Sequence, residues 1–385
     1  MMEFGFSAAE EEFRARIRGE LRGPEVRAAL ADLPDDNVGG PELRRLHLVL
    51  GERNLLAPHW PVEYGGLGLP FNLGGIVTEE LVRAGVPETL HISTVQIVGQ
   101  FLLVIGNHEH KLRHLPPIAR GEHFVSVLYT EPDTGCDIGS LTTVAEPDGD
   151  GFRLTGTKVF SLKTQMADYS LTAARTGEGD TRYAGITLFM VDMTTPGIRV
   201  SPIPTIWDEP FYRVDLDGAF VPSDCVLGRP GEGWALLSKG LPIERNGLDY
   251  YLKAERWFGT ALGCLAEQYP DPGAADDGLL ELIGRNCASL RASHLLAWDV
   301  LGGIKAGKVD ETAAAVARYH AGELAGSIAR WAGSVPTAAQ RSAGGQAAVL
   351  EEGYLEAPGV TLSAGTSEMM LQLIAAALDR AGQES

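Results

Sequence analysis

The sequence predicts an α+β chain that is mostly α: an N-terminal all-α domain over residues 1–122, a middle β-domain over 123–228 and a C-terminal helical bundle over 229–385. Three observations predict it. Apolar residues recur at helical spacing in the first third, as Phe13, Ile17 and Leu21 do. From Val125 to Phe220 the pattern changes to short apolar runs punctuated by Pro, Gly and Asp, as strands and turns require. From Gly233 long helical stripes return.

The first helix runs from Ser7 to about Arg22, with Ser7 as N-cap and Glu10 three residues on. A Pro- and Asp-rich break at Leu33 to Gly40 separates it from a second segment, Pro41 to about Arg53. Next comes the loop Leu55 to Gly68, which contains Trp60-Pro61-Val62-Glu63-Tyr64-Gly65-Gly66-Leu67-Gly68. Its glycines follow no strand and have the wrong spacing for a phosphate loop. Helical or apolar segments follow at Ile76 to Ala84, Thr89 to Ile105 and Glu109 to Ala119, with Gly106 and Pro116-Pro117 as stops. Of His108, His110 and His114 only the last two share a helix face, so they read as surface histidines near a helix start rather than as a metal cluster.

The middle region opens on Tyr129-Thr130-Glu131-Pro132-Asp133-Thr134-Gly135-Cys136-Asp137, where proline and turn formers leave backbone N–H groups without strand partners. Ser140 to Glu146 and Phe152 to Thr155 form a hairpin about Asp148-Gly149, and a second turn at Gly156 delivers Lys158 to Ser161. Gly185 to Val191, Ile198 to Ile203 and Tyr212 to Phe220 read as further strands. The bundle helices are about Ile243 to Glu267, Leu279 to Ala306, Asp310 to Ala332 and Thr366 to Arg380, with Pro242 starting, kinking or breaking the first.

Composition narrows the function classes. At 385 residues, 44% hydrophobic and 22% charged, the chain can hold two or three cored domains. Its four cysteines, Cys136, Cys225, Cys264 and Cys287, form no C-x-x-C pair, which argues against zinc and against a disulfide framework and for a reducing compartment. The first residues lack a signal pattern and no segment reads as long enough to span a bilayer, so a cytoplasmic location is expected. A formal net charge of -19 disfavours nucleic acid and anionic membranes as partners.

Taken in order, the W-P-x-E-Y-G-G-x-G loop, the T-E-P-x-x-G-x-D loop, the hairpin, G-x-K-x-F-S, A-D-Y ending at Tyr169 and Ala364-Gly365-Thr366-Ser367-Glu368 resemble the acyl-CoA dehydrogenase family over nearly the whole chain. The resemblance implies a helical domain, a middle β-barrel or sandwich and a four-helix bundle. It implies FAD, lined by Tyr129, Thr130, Phe160 and Ser161, with Cys136 at the family's phosphate-binding serine. Arg341, Gly344 and Gly345 stand at the positions that contact pyrophosphate, and Thr366 and Glu368 belong to the G-T-S-E start that contributes to flavin and thioester binding. The implied chemistry is α,β-dehydrogenation of an acyl thioester carried by coenzyme A or an acyl carrier protein, with an electron-transfer acceptor downstream. Many relatives place the catalytic glutamate just before this glycine; that position is Ala364 here, which keeps the backbone N–H for the thioester carbonyl. Other relatives place it in a run ending Glu-Arg, which Glu244-Arg245 matches, so Glu244 is the implied base, with Arg245 and Gly365 on the substrate side.

Several positions depart from the family. Phe160 replaces tryptophan, Leu162 replaces a hydroxyl residue that bonds flavin N5, Arg341 replaces glutamine, and the Arg-x-x-Phe-Gly that reaches a neighbouring subunit's FAD is absent near Leu265 to Pro272. FAD binding weaker than the family norm is therefore expected. So is a dimer of dimers, homo- or hetero-oligomeric, with a related chain supplying the missing contacts. A flavin monooxygenase of the same fold and a catalytically impaired partner subunit or binding scaffold are the alternative readings.

Overall fold

The structure, a computed structural model, describes residues 5–34, 39–177, 180–207 and 209–383. It divides into two compact bodies, Gly5–Leu241 and the segment from Pro242 onward. The break predicted at Leu33 to Gly40 lies partly outside the described residues.

The first body begins with α1 (Ala8–Leu21), whose Ser7–Glu10 capping box satisfies free N–H groups at its start while Phe13, Ile17 and Leu21 are buried. It is followed by α2 (Pro24–Ala31), α3 (Pro41–Glu52), α4 (Asn72–Arg83) and α5 (Glu88–His91). A π-helix (Ile92–Gly99), α6 (Gln100–Ile105) and α7 (His108–Ala119) complete the helical part. Three expectations differ from what the structure shows. Pro116 and Pro117 lie inside the last turn of α7 rather than stopping it; the helix ends past Ala119, where Gly121 takes φ +72°. His110 and His114 are buried, not surface residues: His110 Nε2 lies 2.8 Å from the Asp224 carbonyl and the His114 ring meets Tyr169 edge-on. Among the described residues one segment, Glu88–Ile105, is by length and composition apolar enough to cross a membrane, contrary to the sequence reading; over half of it is buried, as in a core helix.

The β part of this body is one mixed sheet of β1 (Val125–Leu128), β2 (Val144–Asp148), β3 (Gly151–Leu162), β4 (Tyr169–Arg175), β5 (Ile186–Asp192), β6 (Ile198–Ile203), β7 (Phe211–Pro222) and β8 (Val226–Leu227). The order is β6-β7-β3-β2-β4-β5-β8, with β1 parallel to β4. Leu128, Leu154, Phe189, Val214 and Leu216 are among the residues that fill its core. The hairpin forms as predicted, Val144 opposite Thr155 and Gly149 at φ +59° in the turn. Gly156 makes no turn, however: β3 continues through it with a register shift, and a Cβ there would meet Thr143 at 2.4 Å.

Helix α8 (Gly233–Glu244) contains Pro242 and carries the chain into the second body. There α9 (Leu248–Gln268), α10 (Asp277–Lys305), α11 (Glu311–Ala332) and, after two short helices, α12 (Ala338–Ala343) and α13 (Gln346–Glu356), the last helix α14 (Ser367–Gln383) build the bundle. Helix α11 is central, packed against α9, α10 and α14; its buried Ala314, Ala317, Ala321 and Ala325 permit close approach. The predicted helix from Ile243 is in fact interrupted. Gly247 sits at φ +80°, Asn246 Oδ1 accepts the Leu248 N–H, and Glu244 is left as the last residue of α8. Leu280 and Leu282 on α10, with Leu371 and Leu378 on α14, remain exposed.

Candidate functional site

In the β part, the T-E-P loop is fixed by charges that the sequence reading did not single out. Glu131 is buried and accepts from Thr142 N–H at 2.6 Å, the Thr142 hydroxyl at 2.7 Å, Thr143 N–H at 2.9 Å and Lys158 Nζ at 2.7 Å. Burial alone would raise its carboxyl, but Lys158 and the threonine donors outweigh it and hold the pKa at about 2. For Lys158 burial wins over Glu131 and brings its ammonium down to about 8. The pair ties the loop to β3, and Val159 N–H donating to the Thr130 carbonyl at 2.9 Å adds a second tie. A lysine in the strand run that ends at Leu162 and the glutamate of the T-E-P loop were the available signal.

This frame presents Phe160. A register shift between Lys158 and Ser161 puts Phe160 at φ +60°, a conformation costing a non-glycine residue about 1–2 kcal/mol, and leaves its ring 55% exposed. Strain that exposes an aromatic face is a mark of a binding surface. Phe211 supports the ring edge-on at 5.8 Å. Tyr129 and Thr130 are half-buried at the loop's start and Cys136 is exposed. Ser161 differs from the expectation for a lining side chain: it is buried, its hydroxyl donating to the Tyr212 carbonyl at 3.4 Å and accepting from Thr164 at 2.6 Å, so only its backbone is available. Leu162 offers no side-chain donor.

In the second body the G-T-S-E start and the Glu-Arg run come together. A Cβ on Gly365 (φ +90°) would lie 2.8 Å from Met370 Cε and 3.3 Å from Arg245 Nε and Nη2, so the guanidinium packs directly against the glycine. Ala364 holds φ +51° beside it. Thr366 caps α14 by accepting the Met369 N–H at 3.3 Å, Ser367 donates to Glu323 at 2.6 Å, and exposed Glu368 is held below the usual carboxylate range by its own N–H and the Thr366 hydroxyl. Glu244 is half-buried. Loss of hydration raises its carboxyl above the usual range, Arg245 and Arg318 pull it back, and Asp249 pushes it up again. A desolvated carboxylate with a raised pKa beside fixed cations is suited to take up a proton.

Arg341 is exposed, its Nη2 donating to the Gly333 carbonyl at 2.7 Å. Gly344 (φ +71°, ψ -138°) and Gly345 (φ +61°, ψ -120°) take backbone conformations essentially reserved for glycine, and a Cβ on either would meet nothing within 4 Å. Among the described residues no group of three or more His, Cys, Asp and Glu could hold a metal.

These features can be set beside known proteins. Residues 7–122 match the model for the acyl-CoA dehydrogenase N-terminal domain, 126–216 that for the middle domain and 231–378 that for the C-terminal domain. The chain is 31% identical over 303 residues to acyl-CoA dehydrogenase IpdE1 of Mycobacterium tuberculosis, spanning 76% of this chain and 77% of that protein. A solved structure described as the Tcur3481-Tcur3483 steroid ACAD superposes with a TM-score of 0.85 at 27% identity, over 97% of this chain and 98% of that one. The ChsE4-ChsE5 complex from Mycobacterium tuberculosis gives 0.82 at 26%, over 97% of each chain. The three consecutive domain matches and the near full-length relatives agree with the two charged loops described above, and the chain belongs to the acyl-CoA dehydrogenase family of flavoprotein oxidoreductases.

Proposed function

We propose that this chain is the base-bearing subunit of a heteromeric acyl-CoA dehydrogenase that introduces an α,β double bond into a bulky acyl thioester. The observation that carries the reading is the desolvated Glu244 carboxylate in a Glu-Arg run whose arginine lies against Gly365. Glu244 removes the α-proton, and the Ala364 N–H donates a hydrogen bond to the thioester oxygen as negative charge develops there. Arg245 orients the substrate and holds the Glu244 charge in place. FAD, when bound, supplies the hydride acceptor. Phe160, Tyr129 and Thr130 fit such a planar group, by an exposed ring on a strained bulge and by a loop anchored through Glu131 and Lys158.

A second chain is part of the proposal because Leu162 gives no hydrogen bond and Arg341 is turned back onto Gly333. Exposed Leu371 and Leu378 leave apolar surface for an assembly. The names of the Tcur3481-Tcur3483 and ChsE4-ChsE5 structures each pair two proteins, and the first is described as a steroid enzyme, which supports a related partner and a steroid-sized acyl group. The test is stopped-flow bleaching of the purified holo-assembly with a panel of thioesters from short acyl to steroid acyl. Bleaching fastest with the bulky members is expected; no bleaching with any thioester would refute the reading.

Phe160 gives an independent check on the flavin face. Phe160→Gly removes both the ring and the strain, so flavin affinity should fall about tenfold while the flavin-free protein becomes more stable by up to about 1 kcal/mol. Flavin fluorescence titration and thermal melts report both. Unchanged affinity would remove Phe160 from the site.

A further inference from the structure

Arg318 is the largest charge buried in the bundle, and nothing described so far uses it fully. It lies in the alanine-lined face of α11, has no solvent exposure, and donates through Nη2 to the Val360 carbonyl at 2.9 Å and the Ser363 carbonyl at 2.6 Å. Its guanidinium carbon stacks 3.7 Å from the centre of the Tyr250 ring, and the Tyr250 hydroxyl in turn shares a 2.7 Å hydrogen bond with the Ser363 hydroxyl. Gly322 makes room for it, since a Cβ there would stand 2.2 Å from Nη1. The clamped carbonyls belong to the turn that ends in Ala364 and Gly365. An arginine whose Nη2 donates to two backbone carbonyls rather than to a carboxylate is fixing a loop.

The same cation acts on Glu244 and Asp249. The charged and titratable groups around Glu244 in this body are Arg245 just after α8, Asp249 and Tyr250 on α9, and Arg318 on α11. Two of them, Asp249 and Tyr250, can carry negative charge and raise the cost of another beside them. Arg318 is, with Arg245, the counter-charge to them, and it is held by burial and by its two carbonyl bonds.

We propose that Arg318 is a positioning residue, which locks the Val360–Ser363 turn by two carbonyls so that the Ala364 N–H is fixed, and which supplies a fixed positive charge on the Glu244 side of the site. The proposal rests on reading Glu244 and Ala364 as the thioester site. Arg318→Met removes the Nη2 donor and the charge; Arg318→Lys keeps the charge and loses the planar guanidinium that places that donor between the two carbonyls.

Hydrogen exchange of the whole protein is the first readout, because the Leu362, Ser363 and Ser367 amides are bonded to Gly359, Gly359 and Thr361 carbonyls and should be protected. Exchange in segment 359–367 should rise at least about tenfold in both variants, with α10 and α13 unchanged as a control for folding. The second is the pH profile of kcat. Its acidic limb should move to higher pH in Arg318→Met, where a cation that favours the carboxylate is gone, and stay in place in Arg318→Lys. Unchanged exchange in Arg318→Met, or an unmoved limb in that variant when Glu244→Gln is inactive, would overturn the proposal. Full activity in Glu244→Gln together with raised exchange would instead overturn the assignment of the base and leave the clamp standing.

Discussion

Lys158→Met should destabilise the protein by about 3–5 kcal/mol, the cost of leaving one member of a buried ion pair without its partner. Glu131 would keep its three threonine donors but lose the ammonium at 2.7 Å, in a site only 3% exposed. Its carboxyl should then rise from about 2, since desolvation is the largest influence on it and Lys158 the main one opposing it. The deficit should accordingly shrink as pH falls toward 5 and the carboxyl protonates. Adding Glu131→Gln to Lys158→Met should recover much of the loss, which a double-mutant cycle by denaturant unfolding would measure. A deficit under 1 kcal/mol, or one independent of the residue at 131, would show that the pair does not anchor the T-E-P loop.

Acid should unfold the first body well before its carboxylates titrate. Burial lowers His47 and His114 to about 4 and His59 and His91 to about 3, so all four are neutral in the folded chain while unfolded histidine protonates near 6.5. Their native environments explain the penalty: His59 meets Gln100 and a Gly74 whose missing Cβ makes space, and His91 lies among Thr78 and Gln96. Because the unfolded state binds more protons, stability is complete above about pH 6.5 and falls with decreasing pH until the folded pKa values are reached. Each histidine should cost about 2 kcal/mol at pH 5, a large share of a typical domain's stability when four act together. Melts followed by circular dichroism should show the midpoint falling steeply between pH 7 and 5, and His59→Gln should flatten that slope. A midpoint constant over that range would contradict the burial of neutral imidazoles.

What the sequence disclosed follows from which signals are local. The Ser7 cap, the Asp148-Gly149 hairpin and the long stripes of α10 and α11 are each encoded within a few residues, and they form as read. The end of α8 was not legible, because a helix broken by Asn246 and Gly247 looks continuous to a periodicity argument until the glycine's φ is known. Gly156 misled in the other direction: it serves close approach to Thr143 within a strand, not a turn. His110 and His114 carry polar side chains, so burial against Asp224 and Tyr169 could come only from tertiary structure. In the candidate site, the order of motifs located Glu244, Gly365 and Phe160. The residues that hold them in place, Glu131, Lys158 and Arg318, act through partners 27 to 45 positions away in at least one contact each and leave no local trace beyond their charge.

The central claim is that Glu244 is the base. Glu244→Gln keeps the size of the side chain and removes the basic oxygen, so the variant assembly should retain flavin and thioester affinity while flavin bleaching by the best thioester, followed by stopped flow, slows by at least about 100-fold, the low end for general-base catalysis. Bleaching at the parent rate in this variant would contradict the account.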